Sequence, residues 1–234
     1  MPNWSAPKRP AAHAEDALLT AILDGTYPPG STLPGERDLA AQLGVTRPTL
    51  RETLQRLDCE GWLTIQQGKA TLVNDFWQEG GLGVLGTLVR HSRRLPADFV
   101  PNLLEVRLAL APAYARAAVT RDPGAMAALL AQHATLEDTP QALAAYDWEL
   151  HHRLTLASGN PVYTLILNGF SEFYVEMAAR YFVTSEARSA SRAFYRALLE
   201  AVRQGDADAV ERITREVMEE SIAFWRQAQA GGGA

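Results

Sequence analysis

Residues 36–57 hold the feature that most constrains this chain: two helical patterns joined by only a few residues. Leu39, Ala40 and Leu43 share one face of a short helix opened by Pro34-Gly35-Glu36. Gly44 suits the left-handed conformation that ends such a helix, because it has no Cβ to clash. After Val45 alone, Thr46 is placed to cap a second helix, its hydroxyl serving a free N–H of the first turn. Pro48 falls in that turn, where a missing N–H costs little. Leu50, Leu54 and Leu57 then form a stripe to be buried. Two helices across so tight a connection predict a helix-turn-helix.

The flanking sequence extends the pattern. Ala17, Leu18, Ala21 and Ile22 line one face of a helix over Ala14–Asp24, and Tyr27-Pro28-Pro29-Gly30 reads as a turn. Trp62-Leu63-Thr64-Ile65 and Ala70-Thr71-Leu72-Val73 are rich in β-formers. Between them, Gln66-Gln67-Gly68-Lys69 makes a polar hairpin tip ending in a cation. Helix, turn, helix and hairpin together predict a winged helix-turn-helix domain over residues 1–76. Three glycines between Asp75 and Gly83 break both periodicities, and residues 77–83 read as a linker. Residues 84–234 predict an all-α bundle of about seven helices, with Pro101 near one helix start and caps at Asp122-Pro123 and Asn160-Pro161. Gly205-Asp206 separates the last two, and the tail Gly231–Ala234 is expected to be disordered. The fold class is therefore mainly α, with one small α/β head.

Charge gives no simple answer. The 234 residues carry a net charge of −5, made up of −2 over residues 1–76 and −3 over the rest. A nucleic-acid role must then rest on where the charges sit. Arg47 and Arg51 are four apart, share a face opposite the leucine stripe, and stand near Thr46 and Thr49 at the start of the second helix. A recognition helix reads base edges with its first residues, and arginine pairs with guanine O6 and N7. Arg37 is placed for phosphate, and Gly68 and Lys69 for the minor groove. Asp38, Glu52, Asp58 and Glu60 fit only if they point away from a duplex. Hydrophobic residues make up 47% and charged residues 21%, without a membrane-length apolar run. Cys59 is the single cysteine, which excludes an internal disulfide and a thiolate metal cluster. With no signal-type run in Met1–Pro10, a cytoplasmic protein without membrane contact is expected.

At this point the head resembles GntR-family regulators. The similarity lies in Pro28-Pro29-Gly30, in Leu33 to Ala40, in Leu43 to Arg47, in Leu50 to Leu57 and in Gly61 to Gln66. Asn74 to Trp77, Asn102 to Arg107, Leu156 to Pro161, Ile166 to Gly169, Tyr181-Phe182, Glu186 to Ser189 and Phe194-Tyr195 are similar to the acyl-CoA-responsive branch of that family. The resemblance implies a homodimer on double-stranded operator DNA. It implies repression of fatty-acid degradation genes and activation of unsaturated fatty-acid synthesis genes, with release by long-chain acyl-CoA and no other cofactor. It assigns DNA contacts to Arg37, Thr46, Arg47, Thr49, Arg51, Gly68 and Lys69. Pro48 stands where the family has a threonine, and Gln67 where it has a wing-tip histidine.

For the body, the resemblance assigns acyl-CoA contacts to Arg107, Tyr174, Tyr181, Tyr195, Arg215, Glu220, Ser221 and Trp225. Ser221 and Trp225 are i, i+4 and share a face. Met218 replaces a glycine and His151 an apolar residue, the first with consequences for acyl chain length. Related bodies hold a metal through one Asp and three His. Asp147 and His151 match the start of that pattern, and a regulator sensing a small carboxylate through a metal is the alternative reading. Tyr195 and Glu219 occupy the other two positions, a poor transition-metal set. No Ser/His/Asp grouping, phosphate-cradling loop or paired-carboxylate motif is present, so no enzyme is expected.

Overall fold

Residues 10–90 and 98–231 are described by the computed structural model, whose chain divides into two units, Met1–Leu95 and Pro96–Ala234. Among the described residues, the first unit runs α1 (Pro10–Leu23), α2 (Glu36–Leu43), α3 (Arg47–Glu60), β1 (Leu63–Thr64), β2 (Leu72–Val73) and α4 (Leu82–Arg90). Gly44 ends α2 at φ 65°, and Thr46 caps α3 by accepting from the Thr49 N–H at 3.3 Å, as the sequence predicts. Leu18, Leu39, Leu50, Leu54, Leu57 and Trp62 are all buried together in the head's interior. Each such side chain stabilises the head by roughly 1.5–3 kcal/mol relative to exposure.

The wing's ladder is shorter than its β-rich sequence suggests. Only Leu63↔Val73 and Thr64↔Leu72 pair across it. Ile65 is drawn out of the ladder because its N–H donates to Asp58 Oδ1 at 2.9 Å. On the other side of β2, Gly30 N–H donates to the Val73 carbonyl at 2.8 Å and Leu33 N–H to the Thr71 carbonyl at 2.9 Å. Buried Asn74 fastens the base of the hairpin, donating to the Gly61 and Leu63 carbonyls and accepting from Thr64.

The division at 95/96 lies beyond the expected linker at 77–83. The physical reason is α4. Val84 is buried, a Cβ on Gly61 would lie 3.8 Å from its side chain, and Thr87 donates to Glu60 at 3.2 Å. These contacts attach α4 to the head rather than to the body.

The second unit is helical throughout its described residues. It comprises α5 (Phe99–Arg121), α6 (Pro123–Ala131), a 3-10 turn (Gln132–Thr135), α7 (Pro140–Ala157), α8 (Pro161–Asn168), α9 (Ser171–Tyr181), α10 (Ser185–Gln204) and α11 (Ala207–Gly231). Asp122 and Asn160 cap α6 and α8 as expected, and Gly205 ends α10 at φ 71°. The long helices α5 and α11 pack along each other, while α5 also meets α7, and α10 meets α6 and α11. The expected disordered tail lies outside the described residues except for Gly231, the last residue of α11. No helix among the described residues is long and apolar enough to cross a membrane.

Candidate functional site

Two sites follow from this architecture, one in each unit. In the head, the buried Leu50/Leu54/Leu57 face of α3 leaves Arg47 and Arg51 on the opposite side, each with a side chain 57% exposed. Arg51 Nε donates to Glu36 Oε2 at 2.6 Å, and the same oxygen lies 3.8 Å from an Arg47 η-nitrogen. Thr46 and Thr49 share a hydroxyl–hydroxyl hydrogen bond of 2.9 Å at the helix start. Pro48 occupies the first turn of α3, and Arg37 is exposed, its Nε donating to Asp38 at 3.0 Å. In the wing, Gln67, Gly68 and Lys69 are exposed, Gly68 at φ 76°, with Lys69 N–H donating to the Gln66 carbonyl at 3.1 Å. The sequence reading missed Glu36, whose carboxylate organises this face.

In the body, an apolar cavity opens between α5, α8, α9, α10 and α11. Val100, Leu103, Leu104, Arg107, Leu110 and Tyr114 line it from one stripe of α5. Of the expected ligand residues, Arg107, Tyr174, Tyr181, Ser221 and Trp225 line this cavity, and so does Met218. Tyr195 is fully buried and joins them through Asp147. Arg215 and Glu220 are exposed elsewhere on α11, with Arg215 paired to Glu211 at 3.3 Å. At 100° per residue, positions 215 and 220 lie well round the helix from Ser221 and Trp225.

Asp147, which also lines the cavity, is its polar hub. Its Oδ2 accepts from Arg107 at 3.1 Å and from the Tyr174 hydroxyl at 2.6 Å, and its Oδ1 accepts from the Tyr195 hydroxyl at 2.9 Å. The Arg107 guanidinium also lies over the Tyr174 ring, 4.9 Å from its centroid. Burial alone would raise the Asp147 pKa, but Arg107, His151 and the two tyrosine hydrogen bonds outweigh it and hold the carboxyl below 3.8. Burial, reinforced by the Asp147 charge, pushes Tyr174 and Tyr195 well above 10. Burial, with Arg107 close by, pushes His151 down to about 3, so it is neutral. His151 Nδ1 shares a hydrogen bond of 2.7 Å with the Tyr114 hydroxyl.

The Asp147 and His151 pair that the alternative, metal-sensing reading would need is used otherwise. The two side chains stand 3.9 Å apart, the carboxylate already carries a guanidinium, and Glu219 is exposed. A cation placed here would meet the positive charge of Arg107, so the donor set does not fit a transition metal. No group of three or more potential His, Cys, Asp or Glu ligands occurs among the described residues. Arg107 Nε and Trp225 Nε1, both on the cavity wall, have no hydrogen-bond partner among the described residues.

Residues 10–73 match the gntR family of bacterial regulatory proteins, and residues 74–231 match the FadR C-terminal domain. A fatty acid metabolism regulator protein of Edwardsiella ictaluri is 42% identical over 222 residues, spanning 95% of this chain and 93% of the relative. One from Cronobacter sakazakii is 42% identical over 220 residues, spanning 94% and 92%. Among solved structures, Lar, which controls expression of the Listeria monocytogenes agr system, shares the fold at a TM-score of 0.62 and 16% identity, over 95% of this chain and 99% of that one. With a helix-turn-helix in the head, a cavity in the body and family matches spanning both, the chain belongs to the gntR family of bacterial regulatory proteins, with a FadR-type body, and is a transcriptional regulator rather than an enzyme.

Proposed function

We propose that this regulator controls genes of fatty acid metabolism, with long-chain acyl-CoA as the effector that releases it from operator DNA. In this reading it acts in the cytoplasm as a homodimer, represses degradation genes and activates unsaturated fatty-acid synthesis genes. The observation that carries the effector assignment is the apolar cavity walled by α5, α9 and α11. Apolar walls with a few convergent polar groups suit an acyl chain joined to a polar head. Arg107 Nε and Trp225 Nε1 are donors that the thioester carbonyl can satisfy. The names of the relatives support the same assignment.

The cavity also suggests how binding is felt. Its volume is about 120 Å³. Pockets for drug-sized ligands run to roughly 300–1,000 Å³. A long acyl chain must therefore displace wall side chains, among them Arg107 and Tyr174, which are tied to Asp147. Only a ligand that favours one arrangement of that network over another can shift DNA affinity. Met218 fills part of the wall, where the family has a glycine, and narrows the room for the longest chains.

In the head, Arg47 and Arg51 read guanines in the major groove, Thr46 and Thr49 fix the helix start, and Arg37 and Lys69 meet phosphate. Gln67 and Gly68 approach the minor groove. Half-sites about one helical turn apart follow from a two-fold dimer. The test is fluorescence anisotropy on an operator selected from a random duplex pool. Palmitoyl-CoA should weaken binding by about 5–150-fold, the usual range of allosteric coupling, while acetyl-CoA should not. Unchanged operator affinity with palmitoyl-CoA would overturn the effector assignment.

A further inference from the structure

We infer that Glu36 is a positioning residue for base reading: one carboxylate oxygen braces the two recognition arginines so that their guanidinium ends face the duplex in fixed relative placement. The inference rests on the reading that Arg47 and Arg51 contact bases.

Glu36 opens α2, in whose first turn a carboxylate is favoured by the helix dipole. Its position 15 residues before Arg51 in sequence hides the contact, which the tight turn between α2 and α3 creates. Arg51 donates to Glu36 Oε2 through Nε, the inner nitrogen of its guanidinium, at 2.6 Å. That leaves both η-nitrogens of Arg51 for a guanine, which needs two parallel donors for O6 and N7. Arg47 reaches the same oxygen from the preceding turn at 3.8 Å. Both arginine side chains are more than half exposed, and long side chains in that state lose rotamer freedom when they bind. A brace that fixes them beforehand lowers that cost for the correct sequence. A free carboxylate near DNA would instead repel phosphate; sharing it between two guanidinium groups neutralises it and leaves the face net positive.

The test uses the whole 234-residue chain as a dimer and two duplexes, the selected operator and a scrambled sequence of equal length. The readouts are the ratio of the two affinities, the salt slope and the melting temperature. Glu36→Ala is expected to lower the affinity ratio by about tenfold, the scale of one well-made base contact. Melting temperature and salt slope should stay as in wild type. Glu36→Gln keeps an acceptor oxygen at the same reach and should retain most of the ratio. In an Arg51→Ala background, where only the Arg47 contact remains, Glu36→Ala should lower the ratio by less than it does in wild type, which keeps the test valid even if either variant lowers the melting temperature. If Glu36→Ala strengthens binding to both duplexes equally, Glu36 is merely a repelling charge and the proposal is overturned. An unchanged ratio in Glu36→Ala, beside a lost ratio in Arg51→Ala, overturns the brace alone. An unchanged ratio in Arg51→Ala overturns the base-reading assignment, and the brace with it.

Discussion

Replacing Asp147 by alanine is expected to destabilise the helical body by about 3–5 kcal/mol, the range for removing one partner of a buried charge pair. Asp147 accepts from Arg107, Tyr174 and Tyr195 at 3.1, 2.6 and 2.9 Å. Alanine would leave a guanidinium and two hydroxyls facing a largely apolar interior. The Asp147→Asn variant keeps the shape but only one acceptor oxygen and loses the charge, and should fall between wild type and alanine. Urea denaturation followed by circular dichroism measures this directly. A loss of less than about 1 kcal/mol for Asp147→Ala would be the value of a surface pair and would contradict the buried network.

The same network makes the body sensitive to acid. His151 titrates near 3 in the folded chain against 6.5 when free, and Asp147 is held below 3.8. In both cases the unfolded chain binds protons that the folded chain refuses, so stability rises with pH. For His151 the stability present above pH 6.5 is lost progressively as pH falls from there towards 3. The slope in that window is at most about 1.4 kcal/mol per pH unit for one group. His151→Phe removes the proton acceptor and should flatten the pH dependence of stability between those limits. Equal slopes in the two proteins would show that His151 takes no part in it.

Arg51→Ala is expected to cost about 1–3 kcal/mol of operator binding while leaving binding to a scrambled duplex nearly unchanged. The argument is geometric. Arg51 stands on the face of α3 opposite the buried Leu50, Leu54 and Leu57, so its removal takes nothing from the head's core. Lys69→Ala is the contrasting control. An exposed cation at the wing tip that meets only phosphate should weaken both duplexes alike and reduce the salt slope by about one. Anisotropy across a salt series separates the two patterns. If Arg51→Ala weakens operator and scrambled duplex by the same factor, Arg51 is a phosphate contact and not a reader.

The head was legible because its signals are local. Gly44, Thr46 and Pro48 stand within five residues, and each states its backbone requirement alone. The wing was less so: its strands were recognisable, but the loss of Ile65 from the ladder depends on Asp58, seven residues away on α3. Nor does α4 announce that it belongs to the head, since Thr87 and Glu60 meet only after folding. The polar hub of the body is the extreme case. Arg107, Asp147, Tyr174 and Tyr195 come from four helices, and no spacing along the chain records that they converge. The i, i+4 spacing of Asp147 and His151 invited a metal reading, yet His151 turns to Tyr114 instead. Ser221 and Trp225 were placed together by their shared helix face, and the same periodicity puts Arg215 and Glu220 outside the cavity lining.

The central claim is that one ligand in the body and one duplex on the head are thermodynamically coupled. Calorimetric titration of the whole 234-residue chain with palmitoyl-CoA, free and saturated with operator, tests it most directly. Linkage requires the acyl-CoA affinity to fall on operator binding by the same factor, about 5–150-fold, by which palmitoyl-CoA weakens the operator complex. Equal acyl-CoA affinity in the two titrations would contradict the account.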